Sequence, residues 1–126
     1  STKIAGEVII DDFAVLSACV LVHQFSNIGS FVMIQGGSRI NKDVPPFIMV
    51  GREPAKYCGL NIVGLRRRGF SNEQITNIRN AYRHIYESST IVSKAIERIK
   101  EEGNITPDTE YIVTFIEKRS QRGIIG

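Results

Sequence analysis

An aliphatic residue recurs at every sixth position in the first third of the chain: Ile4, Ile10, Leu16, Val22, Ile28, Ile34 and Ile40. Four places after each stands Val8, Ala14, Val20, Ser26, Val32, Ser38 or Val44, a second register confined to Ser, Ala and Val. A six-residue period pairing a large aliphatic with a small residue predicts a parallel β-helix built from hexapeptides. Neither the helical spacing of 3.6 residues nor the simple alternation of a half-buried strand generates it. With three hexads to a coil, residues eighteen apart lie on adjacent coils, about 4.8 Å from one another. Ile4, Val22 and Ile40 then form one interior column, Leu16 and Ile34 a second, and Ile10 and Ile28 a third that Pro46 is expected to close. Phe13 and Phe31 are also eighteen apart but fall outside the aliphatic register. They are expected to stack on one another and point outward, toward solvent or a partner subunit.

The repeat ends at Val44-Pro45-Pro46, because two prolines remove ladder donors and do not continue a central strand. Residues 47–51 read as a last short strand and Arg52-Glu53-Pro54 as a turn. From Ile62 onward the period becomes helical. Ser71 and Gln74 fit a capping box, followed by Ile75, Ile78, Tyr82 and Ile85 on one face of a helix over roughly 72–87. A second helix over about 90–102 carries Ile91, Val92, Ala95, Ile96 and Ile99, with Gly103 placed to end it. Thr106-Pro107 opens a third through about Lys118, with Tyr111, Ile112, Phe115 and Ile116 buried. The tail from Ser120 is either frayed or docked by Ile124 and Ile125. The expected class is therefore mixed β and α. Coils of a parallel β-helix fill 1–50, a connecting loop 51–60, and a small C-terminal α-helical domain 61–126.

Composition adds bounds rather than identity. The 126 residues suit one domain or two small ones. No apolar run approaches the roughly 20 residues that span a bilayer, and the N-terminus shows no secretory pattern. Cys19 and Cys58 lack metal-ligand neighbours and framework spacing, which favours a reduced, cytoplasmic setting. The net charge is +3, with most Lys and Arg after residue 50; this suits either a phosphate-bearing or acidic partner or a solvated basic face. The chain lacks an initiator Met and enters the repeat at once, and its seven hexads make little more than two coils. A solenoid coil buries its interior only against its neighbours, so these residues are expected to be the C-terminal part of a longer protein.

Few residues invite chemistry. His23 follows interior Val22 and should face outward, either as a surface histidine or across a subunit boundary. His84 lies off the apolar stripe of its helix and is expected to face solvent. Gly6 and Gln24 are eighteen apart and should be neighbours. A glycine there either lets a ligand approach a backbone N–H or merely eases a corner. Gly36-Gly37 is likewise a corner or the lining of a slot. In Arg66-Arg67-Arg68, consecutive helical positions lie about 100° apart, so one or two can reach a diphosphate while the third is solvated. The run lacks the interleaved aromatics and motif of a nucleic-acid binder.

The segments Gly6 to Asp12, Val22-His23-Gln24-Phe25, Asp43-Val44-Pro45-Pro46 and 59–70, with Ile78 to Tyr82, closely resemble the C-terminal half of the acyl-carrier-protein–UDP-N-acetylglucosamine O-acyltransferases. The resemblance implies a left-handed β-helix, a homotrimer, and sites between adjacent subunits. The implied reaction moves a 3-hydroxyacyl chain from acyl carrier protein to the 3-hydroxyl of UDP-N-acetylglucosamine, the first step of lipid A synthesis. No cofactor or metal is implied beyond the phosphopantetheine that carries the acyl donor. The family's general-base histidine belongs to a stretch upstream of Gly6. The Gly6 N–H is implied as oxyanion donor, Glu7, His23, Gln24, Asn61, Arg67 and Arg68 as substrate ligands, and Gly36 as part of the acyl-chain slot. Glu7 and Val63 depart from the histidine and glutamate of better-known members. The competing expectation is a trimeric module that docks an acidic carrier protein through its basic face without chemistry of its own.

Overall fold

The computed structural model describes every residue except Ser1, Thr2, Ala5, Glu7, Gln121 and Arg122. Seven two-residue strands follow the hexads: β1 (Lys3–Ile4), β2 (Ile9–Ile10), β3 (Val15–Leu16), β4 (Leu21–Val22), β5 (Asn27–Ile28), β6 (Met33–Ile34) and β7 (Arg39–Ile40). They pair in parallel at the expected offset of eighteen, Ile4 with Val22, Ile10 with Ile28, Leu16 with Ile34 and Val22 with Ile40. The result is a three-sided left-handed parallel β-helix whose faces are β1-β4-β7, β2-β5 and β3-β6-β8, with β8 at Ile48–Gly51. Burial follows from stacking: Ile4, in the first coil, is 50% exposed, whereas Val22 and Ile40 in the same column are 4% and 1% exposed. Val20, Ser26, Val32, Ser38 and Val44, the small register, are buried as well.

The third coil departs from the expected register. Val44 bridges Ile28 and Val50 pairs with Ile34, both offsets of sixteen, so Val44 and not Pro46 closes the third column. The shortening lies in the turn between β7 and Val44. There the buried Asp43 carboxylate accepts from the Asn27 N–H at 2.6 Å and Ser120 Oγ–H at 2.7 Å. Pro46 is drawn over Gly29, where a Cβ would lie 2.5 Å from the proline nitrogen. Phe47 thereby takes the place above Phe31, their ring centroids 5.9 Å apart.

Residues 56–60 differ from the expected loop. They form β9 (Lys56–Leu60), antiparallel to β8 and joined to it by a turn at 52–55. Tyr57 on this strand stacks on Tyr86 with centroids 4.0 Å apart, which gives the strand a reason to leave the solenoid path and cover the helices.

The helices are α1 (Ile62–Arg67), α2 (Asn72–Tyr86), α3 (Val92–Glu101) and α4 (Pro107–Thr114). The capping box forms as expected: Gln74 N–H donates to Ser71 Oγ at 3.1 Å, and Ser71 N–H donates to Gln74 Oε1 at 2.8 Å. Ile75, Ile78, Tyr82 and Ile85 are all buried, and the Tyr82 hydroxyl donates to Pro46 O at 2.5 Å. His84, expected to face solvent, instead lies half-buried with Nε2 2.5 Å from Glu102 Oε1, tying α2 to the end of α3. The third predicted helix stops being α-helical at Thr114 and continues as one wider turn over Phe115–Arg119. That turn lets Arg119 reach Asp11 in the first coil, while Tyr111 of α4 donates to the same carboxylate. The tail docks: Asp43 N–H donates to Gly123 O at 3.0 Å, Ile125 N–H to Asp43 O at 2.8 Å, and Tyr57 N–H to Gly126 O at 2.8 Å. Ile125 is buried. No helix among the described residues is long and apolar enough to cross a membrane.

Candidate functional site

A three-sided coil has three edges, and the candidate residues are distributed over all of them. Gly6, His23 and Gln24 follow β1 and β4, at the edge leading to the face formed by β2 and β5. Ile4 pairs with Val22, so Gly6 and Gln24 hold equivalent positions two residues beyond that pair on adjacent coils. A Cβ on Gly6 would meet nothing within 4 Å, so the space beside it is open rather than filled by this chain. Glu7, the other candidate here, lies outside the described residues.

His23 is held at both ends of its residue. Its N–H donates to Ile40 O at 2.6 Å, and Nδ1 lies 3.0 Å from Gln24 O. A carbonyl oxygen only accepts, so Nδ1 carries the proton and Nε2 bears the lone pair in the neutral ring. The exposed side of this edge is an open concavity of about 550 Å³ lined by Leu21, His23, Gln24, Arg39 and Asn41.

The second edge, between the β2-β5 and β3-β6-β8 faces, carries Phe13, Phe31 and Phe47. Each adopts a left-handed backbone, with φ of 61°, 60° and 73°, a conformation that costs a non-glycine residue about 1–2 kcal/mol. The turn aims the three rings along one line, Phe13 stacked on Phe31 at 5.1 Å and Phe31 on Phe47 at 5.9 Å. Helix α1 sits against this ladder. Asn61 caps the helix by accepting from Gly64 N–H at 3.3 Å, and its Nδ2 donates to Phe31 O at 2.9 Å. Asn61 is therefore buried and engaged with both solenoid and helix, and its Oδ1 keeps one lone pair for a further donor. Val63 projects into solvent from the first turn of the same helix, 64% exposed.

Leu65 anchors α1 by burial, and Arg66, Arg67 and Arg68 at its end are exposed. Arg68 closes the helix with its N–H shared between Gly64 O and Leu65 O, at 3.2 and 3.1 Å. Its guanidinium carbon lies 4.2 Å from the centre of the Phe13 ring.

Gly36 and Gly37 form the third edge, after β6. Gly37 has φ of +79°, which a side chain would resist, and a Cβ on Gly36 would come within 3.0 Å of Ala18 O. Both features fit a corner. The lack of a side chain at the exposed Gly36 also keeps this edge of the coil narrow.

The structure thus sets His23 and Gln24 just after the strand that pairs with the one leading to Gly6, and Asn61 at the start of the helix that ends in Arg67 and Arg68, with Gly36 on a different edge from both. Phe13 as a support for Arg68 was not legible beforehand. The eighteen-residue spacing signalled its stack with Phe31 but nothing in the sequence signalled what lies on top of it.

Together the hexapeptide β-helix, the docked helical domain and a basic helix end beside the coils define a class of hexapeptide-repeat proteins with a C-terminal helical domain. Within that class the assignment is specific. A family model described as UDP N-acetylglucosamine O-acyltransferase, domain 2, matches residues 43–125, and the chain belongs to this family. It is similar to the UDP-N-acetylglucosamine acyltransferase of Bacteroides fragilis, with a TM-score of 0.96 and 58% identity over 99% of this chain and 49% of that one. The Francisella novicida enzyme of the same name gives a TM-score of 0.92 and 38% identity, covering 98% of this chain and 45% of that one. A curated relative from Alkalilimnicola ehrlichii, an acyl-carrier-protein–UDP-N-acetylglucosamine O-acyltransferase, is 41% identical over 125 residues, 99% of this chain and 48% of its own length. The chain spans about half the length of the curated relatives it matches.

Proposed function

We propose that this chain supplies part of an acyltransferase site that moves a 3-hydroxyacyl group from acyl carrier protein to the 3-hydroxyl of UDP-N-acetylglucosamine. This is the first step of lipid A synthesis and would run in the cytoplasm. The observation that carries the reading is the separation of two complementary groups on different edges of one coil, in a chain whose relatives bear that activity in their names. A polar pair beside an open backbone suits a reacting carbonyl, and a cationic helix end suits a diphosphate. The family resemblance implies a homotrimer with sites between subunits, where an edge of one copy meets another edge of a second and one ligand touches both groups.

In this reading the sugar hydroxyl attacks the thioester carbonyl and gives its proton to a histidine general base upstream of Gly6. The carbonyl oxygen gains negative charge, and the Gly6 N–H stabilises it. The carbon–sulfur bond then breaks, the phosphopantetheine sulfur takes the proton back from that histidine and leaves as the thiol, and the acyl group stays on the sugar oxygen. His23 presents Nε2 to the substrate, fixed in orientation by Gln24 O. Gln24 and Glu7 meet the sugar, Asn61 the nucleoside, and Arg67 and Arg68 the diphosphate through charge-assisted bonds. Gly36 leaves room for the acyl chain. A carboxylate at Glu7 accepts from a hydroxyl but does not donate when ionised, so the contact with the sugar is where this protein departs from its better-known relatives, in the acceptor's identity or in the strength of its binding.

The experiment is an acyl-transfer assay on the complete protein with 3-hydroxyacyl carrier protein as donor. The expected product is UDP-N-acetylglucosamine acylated at the 3-hydroxyl. Transfer only to a 3-amino analogue would overturn the acceptor, and no transfer to either would overturn the activity.

A further inference from the structure

We infer that Phe13 is a positioning residue for the nucleotide diphosphate: its ring holds the guanidinium of Arg68 at the height and angle needed to meet the phosphates. The inference rests on the reading of Arg68 as a diphosphate ligand.

A side chain as long as arginine's, exposed at the end of a six-residue helix, would ordinarily sample many rotamers, and binding an anion would have to restrict them. Here Arg68 is constrained from two directions. Its guanidinium carbon sits 4.2 Å from the Phe13 ring centre, within the range where a cation is drawn to the negative face of an aromatic ring. Its backbone is fixed by its own N–H, shared between Gly64 O and Leu65 O, and by the turn that follows, in which Phe70 N–H donates to Leu65 O at 3.1 Å. The Phe70 ring packs edge-on against Phe31 at 5.0 Å and Phe47 at 5.8 Å.

The Phe13 ring against the guanidinium and the Phe70 ring beyond the turn therefore both rest on Phe31. Stacking on Phe31 at 5.1 Å holds Phe13 itself in place. The face of a ring engages a guanidinium without occupying its N–H donors, so the planar fork remains available for phosphate oxygens. Phe13 is 51% exposed. It is not needed to fill the core, and its position at the mouth of the cation is the feature to explain.

The test uses the complete protein and the acyl-transfer assay, with KM for UDP-N-acetylglucosamine and kcat measured separately for Phe13→Leu, Phe13→Trp, Arg68→Ala and the Phe13→Leu/Arg68→Ala double variant. Leucine keeps an apolar side chain but removes the π face. Phe13→Leu is expected to raise KM about two- to fivefold, the range of an exposed cation–π contact, with kcat unchanged and the melting temperature lowered by no more than the loss of the stack on Phe31. Phe13→Trp is expected to stay at the wild-type KM. In the Arg68→Ala background the leucine substitution is expected to add nothing. If Arg68→Ala raises KM while Phe13→Leu leaves it unchanged, the positioning role is overturned and the arginine reading stands. An undiminished Phe13→Leu effect in the Arg68→Ala background also overturns it. If Arg68→Ala itself leaves KM unchanged, both the arginine reading and the positioning role are overturned.

Discussion

Arg119 grips Asp11 with both prongs of its guanidinium, Nη1 to Oδ2 at 2.5 Å and Nη2 to Oδ1 at 3.0 Å, joining the end of the helical domain to the first coil. Tyr111 donates to the same carboxylate and accepts from Ser30 N–H at 2.8 Å. Burial alone pushes the Asp11 carboxyl up, but the hydrogen bonds from Arg119 and Tyr111 and the adjacent charge outweigh it and hold it below the usual carboxylate range. A carboxyl depressed in the folded state adds stability that is present above its unfolded value, near pH 4, and lost as pH falls through the folded value. Asp11→Asn is therefore expected to cost about 1.5–3 kcal/mol at neutral pH. Its deficit relative to wild type should shrink in melts below about pH 4. A deficit that stays constant with pH would assign the effect to packing instead.

The shortened third coil makes a steric prediction. A methyl at Gly29 would press on the backbone nitrogen of Pro46 at 2.5 Å, a contact that no side-chain rotation relieves. Gly29→Ala is expected to destabilise by about 1–3 kcal/mol, read from a denaturant midpoint. Tolerance would contradict the register that sets Pro46 over Gly29.

Asn61 is predicted to have a double signature. Asn61→Ala removes the α1 cap and the donor to Phe31 O, so the melting temperature should fall, by the equivalent of about 1–2 kcal/mol. If Asn61 also meets the nucleoside, KM for the nucleotide sugar rises in samples held well below that melting point. A change in stability with an unchanged KM would confine it to structure.

Arg67→Ala and Arg68→Ala are expected to separate the two quantities the other way. Both side chains are exposed on α1, so stability should stay within about 0.5 kcal/mol of wild type. Each loss of a charge-assisted bond should raise KM roughly tenfold. An unchanged KM would remove them from the site.

The coils were legible because position in a solenoid repeats with the chain: Ile4, Val22 and Ile40 occupy the same column three times, and only Ile4, in the first coil, is half exposed. The helix starts were equally open to reading, since Ser71-Gln74 and Thr106-Pro107 satisfy local backbone groups wherever the rest of the chain goes. The third coil was not, because its register depends on Asp43, whose partners Asn27 and Ser120 are brought together only by folding. β9 was missed for a similar reason, as its pairing with β8 and its tyrosine stack are both contacts made in space. His84 shows the limit of a helical-face argument: it lies off the apolar stripe of α2 yet meets Glu102 across the helix pair. Of the site, the equivalent positions of Gly6 and Gln24 on adjacent coils followed from the period. The roles of the arginines came from the family resemblance, and the support of Arg68 by Phe13 came only from the structure.

The central claim is that groups on different edges of the coil combine across a boundary between copies. It is tested most directly by complementation between two impaired variants of the complete protein, His23→Ala and Arg67→Ala/Arg68→Ala, coexpressed and assayed at low nucleotide-sugar concentration. In a ring built from heterologous interfaces, random mixing of the two variants leaves about a quarter of the boundaries with both edges intact. The account predicts that the mixed assembly transfers acyl groups faster than either variant alone. A mixed assembly no faster than the mean of its two parents would contradict it.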